Sequence, residues 1–104
     1  MRSMWVIAMY DLPVDSLEAK RHYRQFRDKL LDDGFFMLQY SVYGRPCPSI
    51  ENCEVHIGRV EEAVPPEGEV RVFTMTDLQF ARMRIFFGRK PKKPEDPPDQ
   101  LTMF

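Results

Sequence analysis

The stretch "GFFMLQYSVYGRP", residues 34–46, decides the fold. From Phe35 to Gly44 it is rich in aromatic and β-branched residues, broken once by a polar interruption at Gln39 to Ser41. That pattern predicts two short strands meeting at a tight turn, the second ending near Gly44 to Pro46. Upstream, Met4 to Tyr10 is apolar at every position, as in a central strand covered on both faces. The run stops at Asp11, before Leu12-Pro13. Between the two lies a helix that Asp15 or Ser16 can cap. Its apolar stripe is Ala19, Tyr23, Phe26 and Leu30; Lys20, Arg24 and Arg27 mark a second face, with Arg21 beside them. Gly34 ends it after Asp32-Asp33.

Downstream the same alternation repeats. Pro48 and Ser49 open a second helix, in which Ile50, Cys53, Ile57, Val60 and Val64 recur with helical period until Pro65-Pro66 stops it. "EVRVFTMT", residues 69–76, alternates with a period of two and reads as a strand. A helical turn around Asp77 to Ala81 follows, then a fifth extended segment in "RMRIFFG", residues 82–88. The order β, α, β, β, α, β plus a further strand is an α+β, ferredoxin-like arrangement, an antiparallel sheet with two helices on one face. Helices on one face leave the other side of Met4 to Tyr10 without a cover, and a second copy of the chain is the economical one.

A chain of 104 residues supports a single core. The ordered domain is read as residues 1–88. Residues 89–104, with four prolines and both charge signs, read as a flexible tail. Leu101, Met103 and Phe104 at its end could add a strand to a partner's sheet edge. No run of 18 apolar residues occurs and Met1 leads into a strand pattern, so the protein is expected to be cytoplasmic. Cys47 and Cys53 fit no zinc-finger spacing or disulfide framework and read as one buried thiol on a helix and one in a loop. His22 and His56 read as solvated.

The net charge of −1 conceals segregation: residues 51–69 hold six acids against Arg59 alone, and residues 82–93 hold six bases and no acid. Lys20, Arg21, Arg24 and Arg27 have spacings that track a phosphate backbone rather than base edges, unless Glu18 and Asp28 neutralise them as an ordinary helix face. Arg82 and Arg84, with Arg89 and Lys90, extend the basic surface in a dimer.

A first strand ending in Tyr10-Asp11, a basic amphipathic helix and "GFFMLQYSVYGRP" in this layout together resemble the CRISPR-associated protein 2 family. "YDLP" and "MLQYSVY" are closest to its type II form. The resemblance spans residues 1–88. It implies a homodimer that bridges dimers of the CRISPR-associated integrase during spacer acquisition and binds double-stranded DNA. It also implies, for some members, a magnesium-dependent endonuclease acting on RNA or double-stranded DNA. In the family the proposed metal ligand and catalytic residue is the aspartate at the end of the first strand, here Asp11. Read by itself, without the resemblance, Asp11 is better explained as a carboxylate that stabilises the turn at Leu12 to Asp15. Two copies related by a twofold axis would pair two Asp11 carboxylates about one Mg2+. Tyr10, Ser41 and Tyr43 would then line the dimer cleft. Three classes of function stay open: a DNA-bridging scaffold, a metal-dependent nuclease, and a ferredoxin-like regulatory dimer that binds no nucleic acid. An RNA-recognition module is disfavoured, since "SVYGRP" lacks the basic-Gly-aromatic-Gly-aromatic strand motif.

Overall fold

A computed structural model describes residues 3–97. The chain runs β1 (Met4–Asp11), α1 (Leu17–Asp32), β2 (Phe36–Gln39), β3 (Val42–Cys47), α2 (Ile50–Ala63), β4 (Glu69–Thr76), α3 (Asp77–Ala81), β5 (Ile85–Phe87) and β6 (Lys90–Lys92). The first four strands form an antiparallel sheet in the order β2-β3-β1-β4, the ferredoxin-like arrangement with β1 between β3 and β4.

Local chemistry explains each boundary. Ser16, not Asp15, caps α1, its side chain accepting from the Ala19 amide at 3.0 Å. The helix closes as a Schellman motif, with Phe35 N–H donating to the Leu30 carbonyl and Gly34 N–H to that of Leu31. Gly34 has φ 89°, and a Cβ there would run into the Arg45 guanidinium, so only glycine fits. The turn between β2 and β3 is Tyr40-Ser41, with Ser41 in the left-handed region at φ 62°. The Ser41 carbonyl accepts the Tyr10 amide at 3.1 Å and ties this turn to the end of β1.

Alternation along β1 separates two cores. Val6, Ala8 and Tyr10 face α1 and α2, meeting Phe26, Leu30, Cys53 and Val60. Trp5 and Ile7 face the other way and pack with Phe80 of α3. Trp5 stacks on Phe80 with centroids 3.8 Å apart and planes 5° from parallel, and meets Phe36 edge-on at 5.9 Å. The expected cover by a second copy is thus corrected at this end of the face: the chain supplies its own. A capping box between Thr76 and Gln79 launches α3 directly off β4 and brings Phe80 over Trp5. Toward the Asp11 end the cover thins, leaving Met9 half-buried and Phe73 41% exposed.

Three further expectations are corrected. The fifth extended segment exists, but β5 pairs with β6 in a separate hairpin, not with the main sheet, so strand pairing crosses into the segment read as a tail. The inward face of α2 is Cys53, His56, Ile57 and Val60, while Ile50 and Val64 are exposed; His56 replaces them because a carboxylate from α1 meets it. Cys47 is no loop residue but the buried last residue of β3. Leu101, Met103 and Phe104 lie outside the described residues.

Burial, chiefly, pushes the Cys47 thiol from an ordinary 9.0 up to about 12, and the Cys53 thiol rises for the same reason. The unfolded chain therefore releases these protons first, and stability falls as pH climbs from 9.0 toward about 12. Urea midpoints measured across this window are expected to decline, less steeply in Cys47→Ala; a wild-type midpoint that stays level would contradict this. Phe80→Ala is expected to cost about 3–5 kcal/mol in the same assay, because it strips a fully buried ring from Trp5. Leu17→Ala, at a position 86% exposed at the start of α1, should change stability by less than about 0.5 kcal/mol.

Candidate nucleic-acid interface

The basic face of α1 follows from its apolar one. With Ala19, Phe26 and Leu30 turned into the core, Lys20, Arg21 and Arg24 are exposed, and none forms an ion pair among the described residues. Arg27 is half-buried and its Nη2 lies 3.6 Å from Asp28. Of the two acids that might have neutralised this face, only Asp28 engages a base. Exposed cations without partners are free to meet phosphates. Arg82, the C-cap of α3, and Arg84 are also exposed. Because α3 packs on the sheet face opposite α1, one chain keeps these two basic groups on different sides.

Asp11 closes β1, exposed, on the face of Trp5, Ile7 and Met9. Opposite it in register stands Glu69, whose carboxylate is engaged by Arg71 at 2.8 Å. No cluster of three or more His, Cys, Asp or Glu side chains able to hold a metal occurs among the described residues. Magnesium favours six oxygens, with one or two protein carboxylates and the rest from water and phosphate. At this strand end Asp11 stands exposed across from a Glu69 already held by Arg71, so a fit to magnesium there depends on a second copy.

Tyr10 and Tyr43 were expected to line a dimer cleft with Asp11. Both are buried on the helix side of the sheet, 7% and 4% exposed, away from the Asp11 face. Ser41 is half-buried in the turn. His22 remains partly exposed on α1, beside Pro66 and Glu67. His56 is buried, its Nδ1 at 2.7 Å from an Asp33 carboxylate oxygen; Arg59 holds the other oxygen, and Arg45 donates to the Asp33 main-chain carbonyl. Reading either helix alone misses this clamp, since Asp33 stands 12 to 26 positions from each of its partners; the one local signal is that His56 follows Cys53 by three on the apolar side of α2.

Fold and surface define a ferredoxin-like domain with a basic first helix and a carboxylate at the end of its central strand. The family model described as "CRISPR associated protein Cas2" matches residues 4–83. The chain belongs to that family. It is 52% identical over 101 residues to a protein of Parvibaculum lavamentivorans, covering 97% of this chain and 100% of that one. A Flavobacterium psychrophilum protein is 43% identical, with 99% and 90% covered, and one from Paracidovorax avenae is 40% identical, with 99% and 95% covered. All three relatives carry the name CRISPR-associated endoribonuclease Cas2. No helix among the described residues is long and apolar enough to cross a membrane.

Asp33→Ala is expected to cost about 2–3 kcal/mol, since it leaves His56 buried without its acceptor. Arg59→Ala, at a side chain 58% exposed, should cost less than about 1 kcal/mol. Chemical denaturation of the two variants compares them directly.

Proposed function

We propose that this protein is the homodimeric bridge of a CRISPR spacer-integration complex, binding double-stranded DNA through phosphate contacts with little sequence preference and docking the CRISPR-associated integrase. The observation that carries this reading is the row of exposed Lys20, Arg21 and Arg24 on α1, which have no acidic partners among the described residues. Membership of the Cas2 family supports it. The thinly covered sheet end at Met9 and Phe73, with Phe86 and Phe87 exposed on β5, offers apolar area for a second copy. In such a dimer Arg82 and Arg84 lengthen the basic track beyond α1.

A second reading has its own support: the relatives are named endoribonucleases, and Asp11 is exposed at the end of β1. Here two Asp11 carboxylates from a twofold pair would hold Mg2+, and the chemistry it would supply is polarisation of a phosphodiester of RNA or double-stranded DNA. The scaffold reading is preferred because Glu69, the register neighbour of Asp11, is committed to Arg71, and no cluster of three or more His, Cys, Asp or Glu able to hold a metal occurs among the described residues.

Integration assays with the cognate integrase test both. Lys20/Arg21/Arg24→Ala is expected to abolish integration and to flatten the dependence of log affinity on log salt by about 2–3 for double-stranded DNA. Asp11→Ala should integrate like wild type. Loss of integration and of magnesium-dependent cleavage in a folded Asp11→Ala dimer would transfer the function to the nuclease reading. Absence of any association with the integrase, at any salt, would end the scaffold reading.

A further inference from the structure

Past α3, which packs on the sheet face opposite α1, the chain turns back on itself as the β5-β6 hairpin. Ile85 pairs with Lys92, Phe86 with Pro91 and Phe87 with Lys90. The turn between them is Gly88-Arg89, with Gly88 at φ 65°, and a glycine at the first central position suits a two-residue hairpin turn. Residues in direct register point to the same face of such a ribbon, and successive residues to opposite faces. One face therefore carries Ile85, Phe87, Lys90 and Lys92, and the other Phe86 and Pro91. Ile85 is half-buried at the root; Phe87 is 79% exposed, and Lys90 and Lys92 are exposed beside it. Residues 82–93 contain no acid, and neither lysine forms an ion pair among the described residues.

Register thus divides the two exposed rings of β5 between different partners. Phe86 with Pro91 is apolar and uncharged, an area that a second copy can cover. A surface closing over Phe87 would also take water from Lys90, directly across from it, and from Lys92, one pair further in. Burying unpaired ammonium groups is costly, and only an anion offsets that cost. Lys90 and Lys92 are two residues apart on one strand, about 6.6–6.8 Å by its rise, comparable with the step between neighbouring phosphates of an extended single strand. The ring narrows the choice further: it can stack on a base whose face is open, and inside a duplex those faces are covered. We propose that the Phe87, Lys90, Lys92 face of the hairpin binds single-stranded nucleic acid, with one base on the Phe87 ring and adjacent phosphates on the two lysines. This site is separate from the duplex track on α1 and stands or falls without it.

Binding of the full chain to a uniform pyrimidine oligonucleotide, as DNA and as RNA, and to a blunt duplex tests it. DNA and RNA share the base and phosphate the site would hold, and the tighter arm names the strand. Wild type is expected to bind the single strand, and a 5-iodouracil version should photocrosslink to the peptide containing Phe87. Phe87→Ala should weaken single-strand binding about tenfold and remove the crosslink while duplex affinity is unchanged; Phe87→Tyr, which keeps a ring, should retain most of it. Lys90/Lys92→Ala should flatten the dependence of log affinity on log salt by about 1.4 for the single strand. Phe86→Ala, on the opposite face, should bind the single strand like wild type. Circular dichroism checks that each variant is folded. Equal single-strand affinity of wild type and Phe87→Ala would overturn the site, as would a loss that sedimentation shows to accompany dissociation of a dimer. Either result, with Lys20/Arg21/Arg24→Ala still weakening the duplex, leaves the proposed function standing. If wild type binds the duplex but no single strand at low salt, the inference alone fails; if it binds neither, both fall.

Discussion

The structure turns on the need to cover β1 twice. A strand apolar at every position from Met4 to Tyr10 cannot leave either face in water. Two amphipathic helices satisfy one face; the Trp5–Phe80 stack satisfies the start of the other. The rest is arranged around those coverings: α1 and α2 lie on a single side because Val6, Ala8 and Tyr10 demand them there, and α3 sits immediately after β4 because that is where it reaches Trp5. The same parity makes Tyr10 a core residue and the very next side chain, Asp11, a surface carboxylate on the opposite side.

Burial also sets the charge pattern. Once Ala19, Phe26 and Leu30 enter the core, the basic residues of α1 have only solvent, or a polyanion, to face. The buried histidine of α2 is tolerable because Asp33 and Arg59 complete a polar clamp between the helices. The protein thus keeps an electrically committed side, where α1 ends against α2, apart from the uncommitted row nearer the start of α1. Of these two groups, the row on α1 is the one whose cations have no acidic partner among the described residues.

Most elements were legible because their signals are local. The period-two run of β4 and the capping serines of α1 and α2 declare themselves within a few residues. What escaped depends on distant pairings. Trp5 shows an apolar strand but not that Phe80, 75 positions later, will stack on it. Ile50 fits the helical period of α2 as well as His56 does, and Asp33 decides between them from another helix. The strand pairing of Lys90–Lys92 is hidden because Pro91 and its lysines look like tail composition, whereas a short hairpin with β5 needs little apolar burial. Parity along β1 sends Asp11 to the side opposite Tyr10, yet the sequence reading grouped Tyr10 and Tyr43 with it, because the family resemblance rather than the strand period guided that grouping.

The position of β1 in the sheet has a consequence for biosynthesis. Both of its hydrogen-bonding neighbours lie later in the chain: Met4 pairs with Cys47 on one side and with Thr76 on the other. As the chain leaves the ribosome, "MWVIAMY" emerges before either partner, unpaired until β3 follows and open along its other edge until β4, an apolar, uncharged β-former without a proline. Such a segment is a binding site for chaperones and a seed for aggregation until β4 arrives. Trp5 and Phe80, the residues that finish the fold, are also among the farthest apart in time.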